Sequence, residues 1–306
     1  MMRADLSKLV KALGNQKPPK HIWQKPFDGY QFSNTYHRAL CSLNGAEPDP
    51  NDLTRYDEDM HYGSAPLQPD LLRYLLPICL EAWRKDLMAN ERTQYGGFAD
   101  WFWSTVAESS VLQDNLTPDE YAAVAAFMRE AILDRIDENP LSFSDTETPP
   151  CTWFGAFCAY GVAFPAFPAL WTAWWEMTTA AQAYAVLQYL SCLLYKSDEN
   201  PFFAYRVYGG LLWAPAGHIY RCGWRPENVA FLRATLTPDY IEDRLRYAAH
   251  TLGDVVQSPI PKQMVEEFPS RKAVLELHLA ELPALLLAVP LEASSDWSDG
   301  YMFVDS

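Results

Sequence analysis

Six histidines, at 21, 37, 61, 218, 250 and 278, and six cysteines, at 41, 79, 151, 158, 192 and 222, are the side chains best suited to hold a metal or act as nucleophiles. No two histidines stand four apart, the spacing that sets two imidazoles on one helix face as zinc ligands. His218 and Cys222 have that spacing, but Gly217 and Gly223 flank them and argue against a regular helix, so both are read as structural. Cys151 and Cys158 have no second Cys or His pair at ligand spacing. There is no Gly-x-Ser-x-Gly elbow and no cysteine in a setting that would lower its pKa. Gly96-Gly97 and Gly209-Gly210 lack the Lys-Ser/Thr of a phosphate loop and the spacing of a dinucleotide fingerprint. The expectation is therefore no metal, no nucleotide and no other cofactor.

Carboxylates offer two further candidates. Glu176 is the sole charged residue between Glu147 and Lys196, beside Trp174 and Trp175. Buried among aromatic rings it would stay protonated and could act as an acid in a glycoside hydrolase-like helical barrel. Placed instead in the first turn of the next helix, it is an exposed carboxylate favoured by the helix dipole, and this second reading is preferred. The other candidate is an acidic stretch holding Glu47, Asp49, Asp52, Asp57, Glu58 and Asp59, with Tyr56 and Tyr62 beside them. It lacks the ligand spacing and glycine of an EF-hand. An acidic patch attracts a basic macromolecule and speeds its association, and tyrosines supply rigid anchors at such interfaces. These eight residues form the predicted partner-binding site.

Bulk composition bears on the same question. The 306 residues carry 24 Lys+Arg against 39 Asp+Glu, a formal net charge of −15, with hydrophobic residues at 49% and aromatics at 14%. Nucleic-acid binding needs a basic footprint and is not expected. The apolar fraction is that of a chain with a real core. Scattered cysteines do not form a disulfide framework, and Met1 to Gly14 carries Arg3, Lys8 and Lys11 without the apolar stretch of a signal peptide. Reduced thiols and a cytoplasmic location are expected.

These groups must be positioned by helices. Leu116-Thr117-Pro118-Asp119-Glu120 combines a capping Thr, a first-turn Pro and a Glu that closes a capping box. Leu236-Thr237-Pro238-Asp239 opens a second helix in the same way, and Met177-Thr178-Thr179 precedes a third. Pro69 opens a helix through Leu72, Leu75, Leu76, Cys79, Leu80 and Trp83, in which Pro77 predicts a kink. Residues 4–13 fit a short helix, Pro259-Ile260-Pro261 predicts a break, and Pro283 interrupts the Leu-rich run 275–287. The apolar interval around Glu176 is broken by Pro165 and Pro168 and made amphipathic by Gln182, Gln188 and Ser191, so it reads as a buried layer and not a membrane span. Period-two alternation is nearly absent.

The expected fold is all-α: a multi-helix bundle with a basic segment over 1–26 and helical halves over 27–145 and 146–306 that share one core. A duplicated helical hairpin is a further expectation, because the apolar positions Val124, Phe127 and Met128 match Val186, Tyr189 and Leu190 at a constant offset.

Pro69-Asp70-Leu71-Leu72-Arg73-Tyr74-Leu75-Leu76-Pro77, followed by the Leu116–Glu120 helix start, resembles a family of small bacterial helical proteins. Its members pair an aromatic-Leu-Pro helix with a Leu-Thr-Pro-Glu capped helix. The resemblance spans residues 65–137 and supplies no catalytic residues. It implies an immunity-type role beside a secreted toxin. The function expected on these grounds is a bacterial protein that binds a cognate toxin, or another basic protein, and occludes its active site. The alternatives are the Glu176 hydrolase and an acidic adaptor of a secretion system.

Overall fold

Threonines start three of the long helices. Thr117 Oγ1 accepts from the Glu120 N–H and the Glu120 carboxylate accepts from the Thr117 N–H at 2.8 Å, which is the capping box the sequence predicts. Thr237 caps through the Tyr240 N–H, and Thr179 through the Gln182 N–H at 3.2 Å. Each bond satisfies a backbone donor that the first helical turn leaves open.

The computed structural model describes residues 4–14, 17, 69–89, 111–138, 141, 151–196, 199–202, 223–253 and 255–287. Among these there are ten helices and no strand, so the fold is all-α. They are α1 (Leu6–Ala12), α2 (Pro69–Ala89), α3 (Val111–Asn115), α4 (Pro118–Asp137), α5 (Cys151–Ala163), α6 (Phe167–Trp175), α7 (Ala180–Leu194), α8 (Pro226–Thr235), α9 (Pro238–Leu252) and α10 (Ile260–Leu287).

Helix α4 is the hinge of the packing. It touches α1 and α2 on one side and α5, α6 and α7 on the other, and its residues from Ala131 to Ile136 are buried around the whole circumference. Helix α1 docks through Leu9 and Leu13, both nearly fully buried, and the Ala4 N–H donates to Asp134 of α4 at 3.0 Å. Arg73 of α2 forms an ion pair with Glu120 of α4. At the other end α7, α9 and α10 pack on one another, and α8 bridges α10 to α6.

The apolar interval around Glu176 folds as three short helices. Trp153, Phe157, Trp171, Trp174 and Tyr189 meet ring to ring there, mostly edge to face, as at 5.3 Å between Phe157 and Trp174. Such contacts are favoured by ring quadrupoles and bury large areas. Among the described residues no helix is long and apolar enough to cross a membrane. Gly161 is required by this packing: a Cβ there would meet the Trp224 ring at 2.5 Å. Asn228 of α8 then closes the end of α5, donating to the carbonyls of Gly161 and Phe164 at 2.7 and 2.8 Å.

Prolines mark boundaries less sharply than local rules predict. Helix α2 continues on both sides of Pro77, and α10 runs on through Pro269 and Pro283. A proline inside a helix costs about 3 kcal/mol. Burial of Leu75, Leu76, Leu80 and Trp83 around Pro77, and of Leu282 and Leu286 around Pro283, offsets that cost. The break at Pro259 is real, for α10 begins at Ile260.

Candidate functional site

The predicted partner-binding residues Glu47, Asp49, Asp52, Tyr56, Asp57, Glu58, Asp59 and Tyr62 lie outside the described residues, as do His218 and Cys222. The described residues hold 21 acidic and 16 basic side chains, a balance of −5, so two thirds of the total −15 is carried by the remaining segments. Some of these charges pair along one helix, in i,i+3 and i,i+4 bridges such as Arg84–Glu81 and Arg246–Glu242.

Glu176 requires a correction. It sits at the C-cap of α6, and α7 opens only at Ala180 with Thr179 as its cap. The carboxylate is exposed, as preferred, but it meets the negative end of a helix dipole and not the positive end of the next. Met177 explains the offset: its φ of 51° turns the chain between α6 and α7 and delays the new helix. The buried acid that a hydrolase reading needs is not formed.

The buried thiols are poor nucleophiles. Burial pushes the Cys158 thiol well up, and pushes Cys192 up to about 12 against the help of Ser191 and Asn200. His278 is buried, with Nδ1 2.8 Å from the Leu193 carbonyl. Asp137 of α4 accepts from Gln182 Nε2 at 2.8 Å, and Gln182 Oε1 accepts from the Thr178 N–H at 2.9 Å. That chain of bonds fixes the start of α7. Among the described residues no group of three or more His, Cys, Asp or Glu side chains is placed to hold a metal ion.

What the structure brings together is a ladder leading from the core to the surface. Trp171 stacks on Trp175 at 4.2 Å, and Trp175 on Tyr240 of α9 at 5.6 Å. The Arg244 guanidinium then lies 6.0 Å from the Tyr240 ring and 5.2 Å from that of Tyr247, whose side chain is 44% exposed. Asp243 pairs with Arg244 from the same helix, accepting from Nε at 2.9 Å. Burial pushes the Tyr240 phenol up. Tyrosine and arginine held by stacking lose little freedom on meeting a partner, which is the property of residues that dominate interface energetics. Sequence reasoning missed this face. The i, i+4, i+7 spacing of Tyr240, Arg244 and Tyr247 behind a Thr-Pro-Asp start was its available signal.

On the other flank of α9 a surface groove of about 500 Å³ runs to the start of α10, lined by Arg246, His250, Leu252, Val256, Ser258 and Lys262 among others. Its cations are already engaged: Arg246 with Glu242 at 2.7 Å and Lys262 with Glu266 at 3.6 Å.

No family model, no curated protein and no solved structure matches this chain.

Proposed function

We propose that the protein is a stoichiometric binding protein of the immunity type: a helical scaffold that presents acidic segments to a basic toxin domain and occludes its active site. The observation that carries this reading is the excess of acid, 39 Asp+Glu against 24 Lys+Arg, with Glu47, Asp49, Asp52, Asp57, Glu58 and Asp59 close together in the sequence. A concentration of acid steers a basic partner and speeds its association. The Tyr240–Arg244–Tyr247 face supplies preorganised anchors. The inert thiols and the exposed, cap-bound Glu176 are consistent with a protein that binds and does not turn over.

The test is capture of a partner by the full chain, followed by protection of cells against the product of the neighbouring gene. Charge reversal at Asp57, Glu58 and Asp59 should slow association at least tenfold at low salt, and the loss should shrink as salt rises. A partner bound equally well by the reversed variant rules out steering by this stretch. Capture of several unrelated cargo proteins, with no protection, identifies an adaptor instead.

A further inference from the structure

Helix α10 carries one apolar face inward and a second outward. Leu275, His278, Leu282 and Leu286 are buried, and the helix packs on α7, α8 and α9. On the opposite side stand Ala273, Leu277, Ala280, Ala284 and Leu287, all of them exposed, Leu277 to 55% and Leu287 to 44%. Four large apolar side chains are exposed among the described residues, and two of them lie on this line. A single exposed leucine is ordinary, whereas a contiguous apolar line marks a surface that another molecule covers. A helix on the surface of a globular fold has polar residues opposite its core stripe.

The five outer residues are spaced four, three, four and three apart, the alternation of a coiled-coil seam. At 3.6 residues per turn they fall in a sector about 80° wide, opposite the buried face, and run for about 21 Å. Pro283 stands beside this line and not on it. Three of the five are alanines, which let a second helix approach closely and leave room for its larger side chains. The flanks are acidic. Glu276 and Glu281 are exposed on either side of the line, and neither has an ion pair among the described residues. Lys272, one turn before Glu276, lies farther round the helix from the seam.

Those flanks choose between a second copy of this chain and a different partner. In a parallel pair of helices the residue preceding a seam position meets the partner residue five further on. Glu276 and Glu281 are five apart, so a parallel second copy sets acid against acid across the seam. An antiparallel copy sets each glutamate near its own equivalent, which is no better. We infer that the outer face of α10 docks an amphipathic helix of another protein, one with large apolar side chains on its seam and Lys or Arg on its flanks. The inference does not rest on the acidic stretch proposed to steer a toxin: charge reversal at Asp57, Glu58 and Asp59 tests that stretch, and variants of α10 test the seam.

The experiment titrates the full chain into a fluorescein-labelled peptide of about three heptads, with Leu at both seam positions and Lys on both flanks, and follows anisotropy at low salt. One control peptide carries Glu on the flanks. Another has the composition of the Lys peptide in scrambled order, so it keeps the charge and loses the seam. The Lys peptide should bind saturably and at least about tenfold more tightly than either control. Leu277→Gln, at an exposed position, should leave the urea midpoint unchanged and weaken the Lys peptide by about tenfold. Should that variant fail to fold, Ala280→Gln repeats the test one turn on. Glu276→Lys with Glu281→Lys should reverse the preference, so that the Glu peptide binds better. Equal binding of the scrambled peptide overturns the inference, as does a Leu277→Gln protein that binds like the wild type or a doubly reversed protein with unchanged preference. A wild-type dimer in sedimentation equilibrium that Leu277→Gln dissociates overturns it too, by showing a second copy on the seam.

Discussion

Helices α7 and α9 pack against each other and follow opposite plans. In α7 every residue from Gln182 to Leu194 is buried, polar ones included. In α9 burial is confined to Ile241, Leu245, Ala248 and Leu252, a stripe at helical spacing, and the rest of the helix, charged residues with Tyr240 and Tyr247 among them, is half-buried or exposed. The polar members of α7 are held by bonds to other elements or to the helix itself: Gln182 by Asp137, and Ser191 by Asn200 at 3.0 Å and the Gln188 carbonyl at 2.7 Å. The outer residues of α9 use local pairs, Arg246 to Glu242 and Arg244 to Asp243. A one-sided helix can be read from its own residues. A helix buried on all sides has no polar face to reveal its orientation, and its neighbours decide which residue meets which.

The comparison breaks hardest at the aromatic layer. Trp174, fully buried, meets Trp153, Phe157, Trp171, Trp175 and Tyr189 and donates its indole N–H to the Gln182 carbonyl at 3.3 Å. Trp174→Ala should cost about 3–5 kcal/mol in urea unfolding; a loss below 1 kcal/mol would mean that the layer collapses around the gap.

A middle-sized effect is expected at the α2–α4 contact. Burial works to raise the Glu120 pKa, but the Arg73 guanidinium and the bonds from Thr117 outweigh it and hold the carboxyl below its ordinary value. A carboxyl depressed on folding contributes stability above its unfolded pKa, about 4.3, and loses it as the pH falls through the folded value. Glu120→Gln should therefore lower stability near pH 7 by roughly 0.5–1 kcal/mol and flatten the decline between about pH 5 and pH 3. Parallel profiles for the two proteins would show that the pair does not contribute.

The smallest effect belongs to α9. Glu242→Gln removes an exposed i,i+4 bridge and should change stability by no more than about 0.5 kcal/mol in the same assay. A loss as large as that at Glu120 would show that the outer face of α9 is not merely local.

Legibility in the sequence follows the range of the interaction. The capping box at Thr117–Glu120 involves residues three apart and was readable, as was the helix start at Thr237. The short helix over 4–13 was readable too, but its docking on Asp134 was not, because that bond joins residues 130 apart in the chain. Pro283 misleads locally, since burial around it offsets its cost and the helix runs on, whereas Pro77 lies inside a helix as its neighbours' spacing predicts. The candidate site was least legible. The spacing of Tyr240, Arg244 and Tyr247 along α9 is visible in the sequence, but the stack of Tyr240 on Trp175 joins two helices far apart in the chain.

The amino-acid sequence alone determined the helical class, the places where helices start and the excess of acid. Each depends on residue type and on spacings of one or two turns, where the physics of capping, periodicity and net charge acts without knowledge of the fold. The tertiary structure decided which helix is buried on all sides, that Glu176 ends one helix and does not begin another, and which polar groups are left without partners. Those outcomes depend on which surfaces meet, and burial is a property of the pair of surfaces in contact and not of either residue alone.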